Sequence, residues 1–440
     1  MSEKHINQQY FSPHDETASK QALFNLQSQR LRYMVKTCYE KIPMYRKKFD
    51  EAGIKPEDIK TIDDIKKLPF TDKADLRDNY PLGLVPVKRE DLARIHASSG
   101  TTGKQTVVAY TKNDVDVWAV CCARALTAAG CKKDDFVHIS YGYGLFTGGL
   151  GLHYGAEKLG AATIPVSSGN TKRQVDILCD YGSDILCCTP SYALYIGETA
   201  KAMGIDTNKL RLRAGLFGAE AWTDGMRHEI EKSLNIKAYD IYGLSEVAGP
   251  GVAFECSAQT GMHINEDYFY PEVINPETGE SLPDGEYGEL VFTCIGKEAL
   301  PLIRYRTKDI CSLSHEKCSC GRTFVKMSRP RGRSDDMLII RGINVFPSQI
   351  ESVLLSLNME PNYLIEVDRI KNLDTITVTV EMPSSMVTDS ICDTEIIEKK
   401  ISSAMHSALN IMAKIKLAAP GSLPRFEGKA KRVIDNRTLK

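Results

Sequence analysis

An excess of charge is the first thing this 440-residue chain lacks: 56 lysines and arginines face 57 aspartates and glutamates, a formal net charge of −1. No basic stripe runs along it, which argues against a dedicated nucleic-acid binder. No uninterrupted apolar run is long enough to span a bilayer, so no membrane-spanning helix and no membrane partner are expected. The opening residues Met1-Ser2-Glu3-Lys4-His5 contain no apolar core of the kind a secretory signal needs. The 13 cysteines, an odd number, are then expected to be reduced thiols, and the expected compartment is the cytoplasm. Asn436-Arg437-Thr438 has the form of a glycosylation acceptor, which carries no weight in that compartment. Internal repeats and low-complexity segments are also missing. The length exceeds one ordinary core, so two or three domains are expected.

The Walker A loop is missing too. Counting back from Gly103-Lys104, the first glycine position of that pattern holds Ser98, and Gln105 stands where a magnesium-binding hydroxyl is required. What is present instead is Ser98-Ser99-Gly100-Thr101-Thr102-Gly103-Lys104, followed by Gln105-Thr106. Glycines let backbone N–H groups face an anion, hydroxyls add donors and the lysine adds a point charge. Extended segments flank the loop, Ala93-Arg94-Ile95-His96 before it and Val107-Val108-Ala109-Tyr110 after it. A phosphate-gripping hairpin fits that placement better than a flexible hydroxyl-rich linker. Gly142-Tyr143-Gly144 is no dinucleotide fingerprint either, because the third glycine position is Thr147.

The rest of the chain reads as α/β. Residues from about Glu16 to Tyr80 are helical and charged, punctuated by Pro43, Pro69 and Pro81. Strands are expected at Phe136–Ser140, Ala162–Val166, Ile185–Cys188, Leu212–Phe217 and Ala238–Tyr242. Helices are expected at Asp114–Ala129, Gly148–Leu159, Thr171–Asp180 and Asp224–Leu234. That alternation implies a mostly parallel sheet covered on both faces. Pro271 to Cys311 changes to turns and short strands, a mixed or antiparallel subdomain. A boundary falls near Gly332–Asp335, which divides the chain into a large multi-subdomain N-terminal domain, 1–333, and a small α+β C-terminal domain, 334–440. In the latter, Ser348-Gln349-Ile350-Glu351 reads as a capping box opening a helix. Ile376–Val380 and Lys414–Ala418 read as strands, and Glu395–Asn410 reads as a helix.

Further motifs follow the loop in order: Gly218-Ala219-Glu220, Tyr242-Gly243-Leu244-Ser245-Glu246, Tyr305-Arg306-Thr307-Lys308-Asp309, Gly332-Arg333-Ser334-Asp335-Asp336 and Gly428-Lys429-Ala430. Together they resemble the acyl-adenylate-forming superfamily of acyl-CoA synthetases, luciferases and adenylation domains. Tyr141–Gly149, Arg341–Glu351 and Gly428–Val433 narrow the resemblance to the phenylacetate–CoA ligase family, from about Tyr33 to the C-terminus. The resemblance implies ATP, Mg²⁺ and coenzyme A, a small-molecule aryl acid as substrate, and a homodimer, since family members are often dimers.

The resemblance also implies residue roles, and the residue types suit them. The Ser98–Lys104 loop would hold the β- and γ-phosphates, with Thr101 and Lys104 acting in catalysis. Glu246 would hold Mg²⁺, a hard cation that favours carboxylate oxygen. Gly218, Ala219 and Glu220 would line the adenine pocket and Tyr242 would face the base. Asp309 would accept from both ribose hydroxyls. Arg331 and Arg333 would contact ribose or phosphate, and Asp240, Gly243 and Ser245 complete the nucleotide set. Tyr141 and Phe146 would offer flat apolar faces to the acid, with Ala219, Ile241 and Pro250 closing the walls. Lys429 would bridge the acid and the α-phosphate. Asp335 would be the hinge about which the C-terminal domain turns, and Gly342 would line a tunnel for the pantetheine thiol. Each residue has a plainer reading, as a core aromatic, a turn acid or a surface charge.

Two further readings compete with a ligase. One is an adenylyltransferase acting on a phenolic or cofactor hydroxyl; the other is a nucleotide-binding protein that no longer catalyses. Glu246 and Lys429 together speak against the last.

Cys318-Ser319-Cys320 is a tight thiolate pair, and Cys256 and His263 flank a Gln259-Thr260-Gly261 turn that would fold them together. Cys₃His is a known zinc set, and four protein ligands leave no open position, so a structural Zn²⁺ is expected. Cys311 and His315 are rival ligands. The resemblance does not settle this site, because many phenylacetate–CoA ligases lack such cysteines.

Overall fold

The computed structural model describes residues 9–98, 105–334, 338–340, 343–370, 373–386, 391–409, 411–426 and 430–437. Two compact units form. The first contains residues up to Cys188, Asn208–Ala219 and Ile236–Arg329; the second contains Thr189–Thr207, Glu220–Asn235 and the chain from Pro330 onward.

The chain opens with α1 (Pro13–Glu16), α2 (Lys20–Lys41), α3 (Pro43–Glu51) and α4 (Lys73–Asp78). Leu31, Met34, Val35 and Cys38 recur at helical spacing along α2 and are buried in the main core of the first unit. β1 (Leu92–Ser98) and β2 (Thr106–Thr111) then pair antiparallel, with Ser98 opposite Thr106. The expected hairpin is present, and its strands bracket the hydroxyl- and glycine-rich loop. Ser99, Gly100, Thr101, Thr102, Gly103 and Lys104 themselves lie outside the described residues.

Helix and strand next alternate: α5 (Lys112–Ala128), β3 (Phe136–Ile139), α6 (Gly148–Leu159), β4 (Ala162–Ile164), α7 (Thr171–Asp180), β5 (Ile185–Cys188), α8 (Pro190–Ala202), β6 (Ala214–Phe217), α9 (Asp224–Leu234) and β7 (Lys237–Leu244). A reciprocal cap starts α5: Thr111 Oγ1 accepts from Asp114 N, and the Asp114 carboxylate accepts from Thr111 N. β4 stops at Ile164, before the Pro165 that cannot donate to a ladder, rather than running to Val166.

β8 (Gly249–Glu255), β9 (Met262–Ile264), β10 (Tyr270–Ile274), β11 (Gly288–Thr293), β12 (Tyr305–Cys311), β13 (Leu313–Ser314) and β14 (Lys326–Met327) complete the first unit's strands. One nine-stranded sheet has the order β13-β14-β9-β8-β7-β6-β5-β3-β4. From β4 to β7 it is parallel; from β7 to β13 it is antiparallel. The sheet is thus mixed, because the chain reverses at the 245–248 turn instead of crossing over through a helix. β10, β11 and β12 make the expected separate antiparallel sheet.

In the second unit, β15 (Leu338–Ile340) pairs with β16 (Ile343–Val345), and α10 (Pro347–Ser356) follows. β17 (Tyr363–Ile370), β18 (Leu373–Glu381), α11 (Ile391–Leu409), β19 (Ala413–Ala418) and β20 (Val433–Asp435) complete it, with sheet order β19-β18-β17-β20. Ile365, Val367, Ile376, Val378 and Val380 supply one buried sheet face against Ile401 and Met405 of α11. The N-cap of α10 is Phe346, whose N–H is accepted by Gln349 Oε1 at 2.9 Å. Ser348 sits inside the first turn instead of capping it, and its hydroxyl donates to Arg331 O at 2.6 Å. Among the described residues no helix is long and apolar enough to cross a membrane.

Candidate active site

The turn between β7 and β8 organises the first unit's site. β7 carries Asp240 and Tyr242 to its end, and the turn presents Ser245 and Glu246. Gly243 must lack a side chain, because a Cβ there would stand 1.7 Å from Gly249 O on the returning strand. Gly218, beyond the end of β6, is held in the same way: its Cβ would meet Ile241 O at 2.0 Å. Ala219 follows with φ of 72°, a left-handed conformation unusual for a residue with a Cβ.

Tyr242 and Asp309 meet. The half-buried Tyr242 donates its phenol hydrogen to Asp309 Oδ2 at 2.5 Å, and its ring packs beside Phe292. Asp309 comes from β12 of the other sheet, where its own N–H is accepted by Thr307 Oγ1. The Ser245 hydroxyl is 3.0 Å from that of Thr147, both buried. Glu246 is buried as well, and Lys73 Nζ at the start of α4 approaches its carboxylate at 4.0 Å. No sequence signal singled out that lysine. Asp240 forms an ion pair with Arg329 at 2.5 Å, and its N–H is accepted by Glu255. Arg329 was likewise not singled out.

The five side chains expected around the acid divide. Tyr141 and Ile241 are buried in one core cluster, Pro250 is half-buried, and Phe146 and Ala219 are exposed. Leu145 O accepts both His96 Nδ1–H and Ala97 N–H at 3.0 Å. The 141–147 segment is thereby fastened to the strand that leads into the phosphate-type loop. Burial holds the His96 imidazole below its usual range.

In the second unit, the Glu220 carboxylate accepts Ser191 N–H at 2.7 Å and Ala430 N–H at 2.9 Å. Arg331 and Arg333 lie in the 330–334 segment that opens the unit's C-terminal part. Asp335, Gly342, Gly428 and Lys429 lie outside the described residues.

Cys256, His263, Cys318 and Cys320 converge in the first unit, all buried, with their ligand atoms within 4.8 Å of one another. The Cys256 and Cys318 sulfurs are 3.6 Å apart, and Cys320 Sγ is 3.3 Å from His263 Nε2. Thiolates at about 2.3 Å from a tetrahedral centre stand about 3.8 Å apart, so the spacing fits one ion. His263 donates Nδ1–H to Phe324 O at 3.1 Å, which leaves Nε2 free of hydrogen and facing the sulfurs. A hydrogen bond from the Cys256 thiol, above all, holds the Cys320 thiol far below its usual value. The rivals are elsewhere: exposed His315 pairs with Asp284 at 2.8 Å, and Cys311 is not in the cluster. The N-terminal segment closes over this loop. Gln9 and Tyr10 donate to Cys320 O, and Arg322 pairs with Glu16 at 2.7 Å, both side chains almost wholly buried.

Residues 22–295 match the AMP-binding enzyme family model, and residues 342–437 match the AMP-binding enzyme C-terminal domain. The phenylacetate-coenzyme A ligase of Escherichia coli K12 is 51% identical, over 96% of this chain and 97% of that protein. That of Aromatoleum evansii is 50% identical, over 96% of each. A crystal structure of 2-hydroxyisobutyryl-CoA ligase in the postadenylation state superposes with a TM-score of 0.92 at 27% identity, covering 99% of this chain and 94% of that one.

Proposed function

The chain belongs to the AMP-binding enzyme family, within its phenylacetate–CoA ligase branch, and we propose that it activates phenylacetate or a related aryl acid with ATP and transfers the acyl group to coenzyme A. The reading is supported above all by the Tyr242–Asp309 pair, set beside the turn that presents Glu246.

A carboxylate must attack the electron-rich α-phosphate, so charge placement is the enzyme's main task. A carboxylate oxygen bonds to the α-phosphorus, the bond to the bridging oxygen breaks, and pyrophosphate leaves with the electron pair. Ser98 to Lys104, with Thr101 and Lys104 foremost, hold the departing phosphates. Glu246 suits Mg²⁺, which binds through one or two carboxylates plus substrate phosphates and supplies screening of phosphate charge. Asp309 holds the ribose hydroxyls and Tyr242 the base, with Gly218 and Ala219 as the flat floor beneath it. Asp240, ion-paired to Arg329, stiffens β7 below them, and Gly243 and Ser245 shape the turn. Arg331 and Arg333 contact ribose or phosphate. The acid sits against the 141–146 segment, Ala219, Ile241 and Pro250. Lys429 bridges the acid and the α-phosphate as charge builds.

The thiol of coenzyme A then attacks the acyl carbon. A C–S bond forms, AMP leaves, and the thiol proton passes to solvent. One lysine cannot serve both steps from one pose, so the domain after residue 333 turns about Asp335, and the segment at Gly342 lines the pantetheine path.

Cys256, His263, Cys318 and Cys320 hold a structural zinc ion. The donor set is soft, closed and complete, and it supplies folding energy, not reactivity.

The test of the ligase reading is acid-dependent pyrophosphate exchange over a panel of aryl acids, with product analysed with and without coenzyme A. An acyl-CoA formed only with coenzyme A is expected. Failure of every acid to support exchange overturns the reading, and adenylyl transfer to a hydroxyl would replace it.

A further inference from the structure

We infer that Lys297 and Tyr110 are positioning residues for adenylation, clamping the turn that presents Glu246 and tying it to the hairpin that carries the phosphate loop. Four consecutive carbonyls of the turn are taken up by these two side chains. Lys297 Nζ donates to Val247 O at 2.8 Å and to Glu246 O at 3.3 Å. The single hydroxyl hydrogen of Tyr110 is shared between Ser245 O at 3.4 Å and Ala248 O at 3.3 Å.

The two clamping residues also hold each other. The ammonium of Lys297 lies 4.4 Å from the centroid of the Tyr110 ring, so its remaining face meets π density instead of water. Both side chains are buried, at 8% and 1% exposure. The loop bearing Lys297 is pinned in turn by the Asp114 carboxylate, which accepts Glu298 N–H at 2.7 Å, Ala299 N–H at 2.9 Å and Thr111 N–H at 2.9 Å. Tyr110 lies on β2, in the strand that leaves the 99–104 loop. One strand therefore joins the loop and the Glu246 turn.

Packing alone does not account for a lysine here. Withdrawing an ammonium from water costs several kcal/mol, and an apolar side chain of similar length would fill the space without that cost. Asp114, Glu246 and Cys294 are the ionisable groups that face the cation, and burial pushes its pKa down. What the charge supplies is a fixed pair of donors to the two carbonyls that follow the Glu246 Cα, while Tyr110 takes the Ser245 carbonyl before it. With that backbone fixed, the carboxylate keeps one direction.

The inference rests on Glu246 as the holder of Mg²⁺. The test uses the full chain and three variants: Lys297→Met, Tyr110→Phe and Glu246→Gln. Pyrophosphate exchange is titrated with free Mg²⁺ at fixed ATP and phenylacetate, and thioester formation is followed separately from supplied phenylacetyl-adenylate and coenzyme A. Lys297→Met is expected to lower exchange and raise the half-saturating Mg²⁺, each about tenfold, with Tyr110→Phe shifting both about threefold. Thioester formation stays within about twofold of wild type in both. A shifted Mg²⁺ requirement in Glu246→Gln with none in the other two overturns the clamp alone; no shift in Glu246→Gln overturns the reading of Glu246. Proportional loss of both half-reactions in Lys297→Met or Tyr110→Phe also overturns the clamp. If Lys297→Met does not fold, Tyr110→Phe decides, since it removes one hydroxyl and keeps the ring.

Discussion

The carboxylate of Glu220 accepts the backbone N–H of Ala430, the residue after Lys429, at 2.9 Å, while its other oxygen takes the N–H of Ser191 at the start of α8. A place beside adenine does not account for this arrangement. A carboxylate so engaged fixes the chain directly behind the candidate catalytic lysine. Each bond to an ionised acceptor contributes about 1.5–3 kcal/mol. Glu220→Gln retains one acceptor oxygen and loses the charge, and acid-driven pyrophosphate exchange is expected to fall about tenfold. Thioester formation from supplied adenylate should be unaffected; an equal fall in both would reduce the contact to scaffolding.

Lys429→Ala is expected to lower adenylate formation by about two to three orders of magnitude. Transfer from supplied acyl-adenylate to coenzyme A should survive. Loss of both steps together would sink the two-pose mechanism.

Asp309→Asn and Tyr242→Phe test the nucleotide end. An ionised carboxylate accepts from two hydroxyls and an amide does so poorly, so Asp309→Asn should raise KM for ATP about tenfold or more. Tyr242→Phe leaves the ring and frees Asp309 from its 2.5 Å partner, so a smaller rise is expected. KM for the acid should be unchanged in both, and a change there would remove the ribose assignment.

Purified protein should contain one zinc per chain by elemental analysis, and Cys318→Ser should lose it. The variant's melting temperature is expected to fall by about 10 °C or more, since structural zinc supplies binding energy directly to folding. A metal-free wild type of full stability would remove the site.

Glu266 gives a pH dependence of stability. Burial pushes its carboxyl up to about 7, against bonds from Val325 N–H and Gln27 that favour the ionised form. Between the unfolded value near 4.5 and that raised value the folded state binds the extra proton. Stability contributed by the protonated form is thus present below about pH 4.5 and lost as pH rises through 7. Glu266→Gln should match wild type near pH 5 and be more stable by about 1–3 kcal/mol at pH 8 in urea titrations. Equal midpoints at pH 8 would contradict this.

The alternation from β3 to β7 was legible because short, largely apolar strands sit between helices with clear ends. Helix α8 was not named, although Thr189 accepts Tyr192 N–H and Pro190 fills the first helical position, a start signal plain in retrospect. β8 and β9 were hidden because Gly249-Pro250-Gly251 reads as a turn, whereas Pro250 lies half-buried in a strand that begins there. The metal cluster was readable from residue types alone, since thiolates and imidazole are few and distinctive. Lys73, Arg329 and Lys297 were not, because a lone cation is the commonest surface residue and only the fold turns it inward. Ser348 misled for a related reason: its pattern suits a cap, but Pro347 had already begun the helix one residue earlier.

The Glu16–Arg322 pair has a meaning for biosynthesis. The two residues are 306 positions apart, and Glu16 ends fully buried. At about 5–20 residues per second, roughly 15–60 s pass on the ribosome between making the acid and making its partner. During that interval Glu16 lacks its partner Arg322, and its carboxylate must stay hydrated. The segment around Glu16 is therefore among the last to dock. A nascent chain halted before residue 322 should expose them to protease, while the released protein shields them.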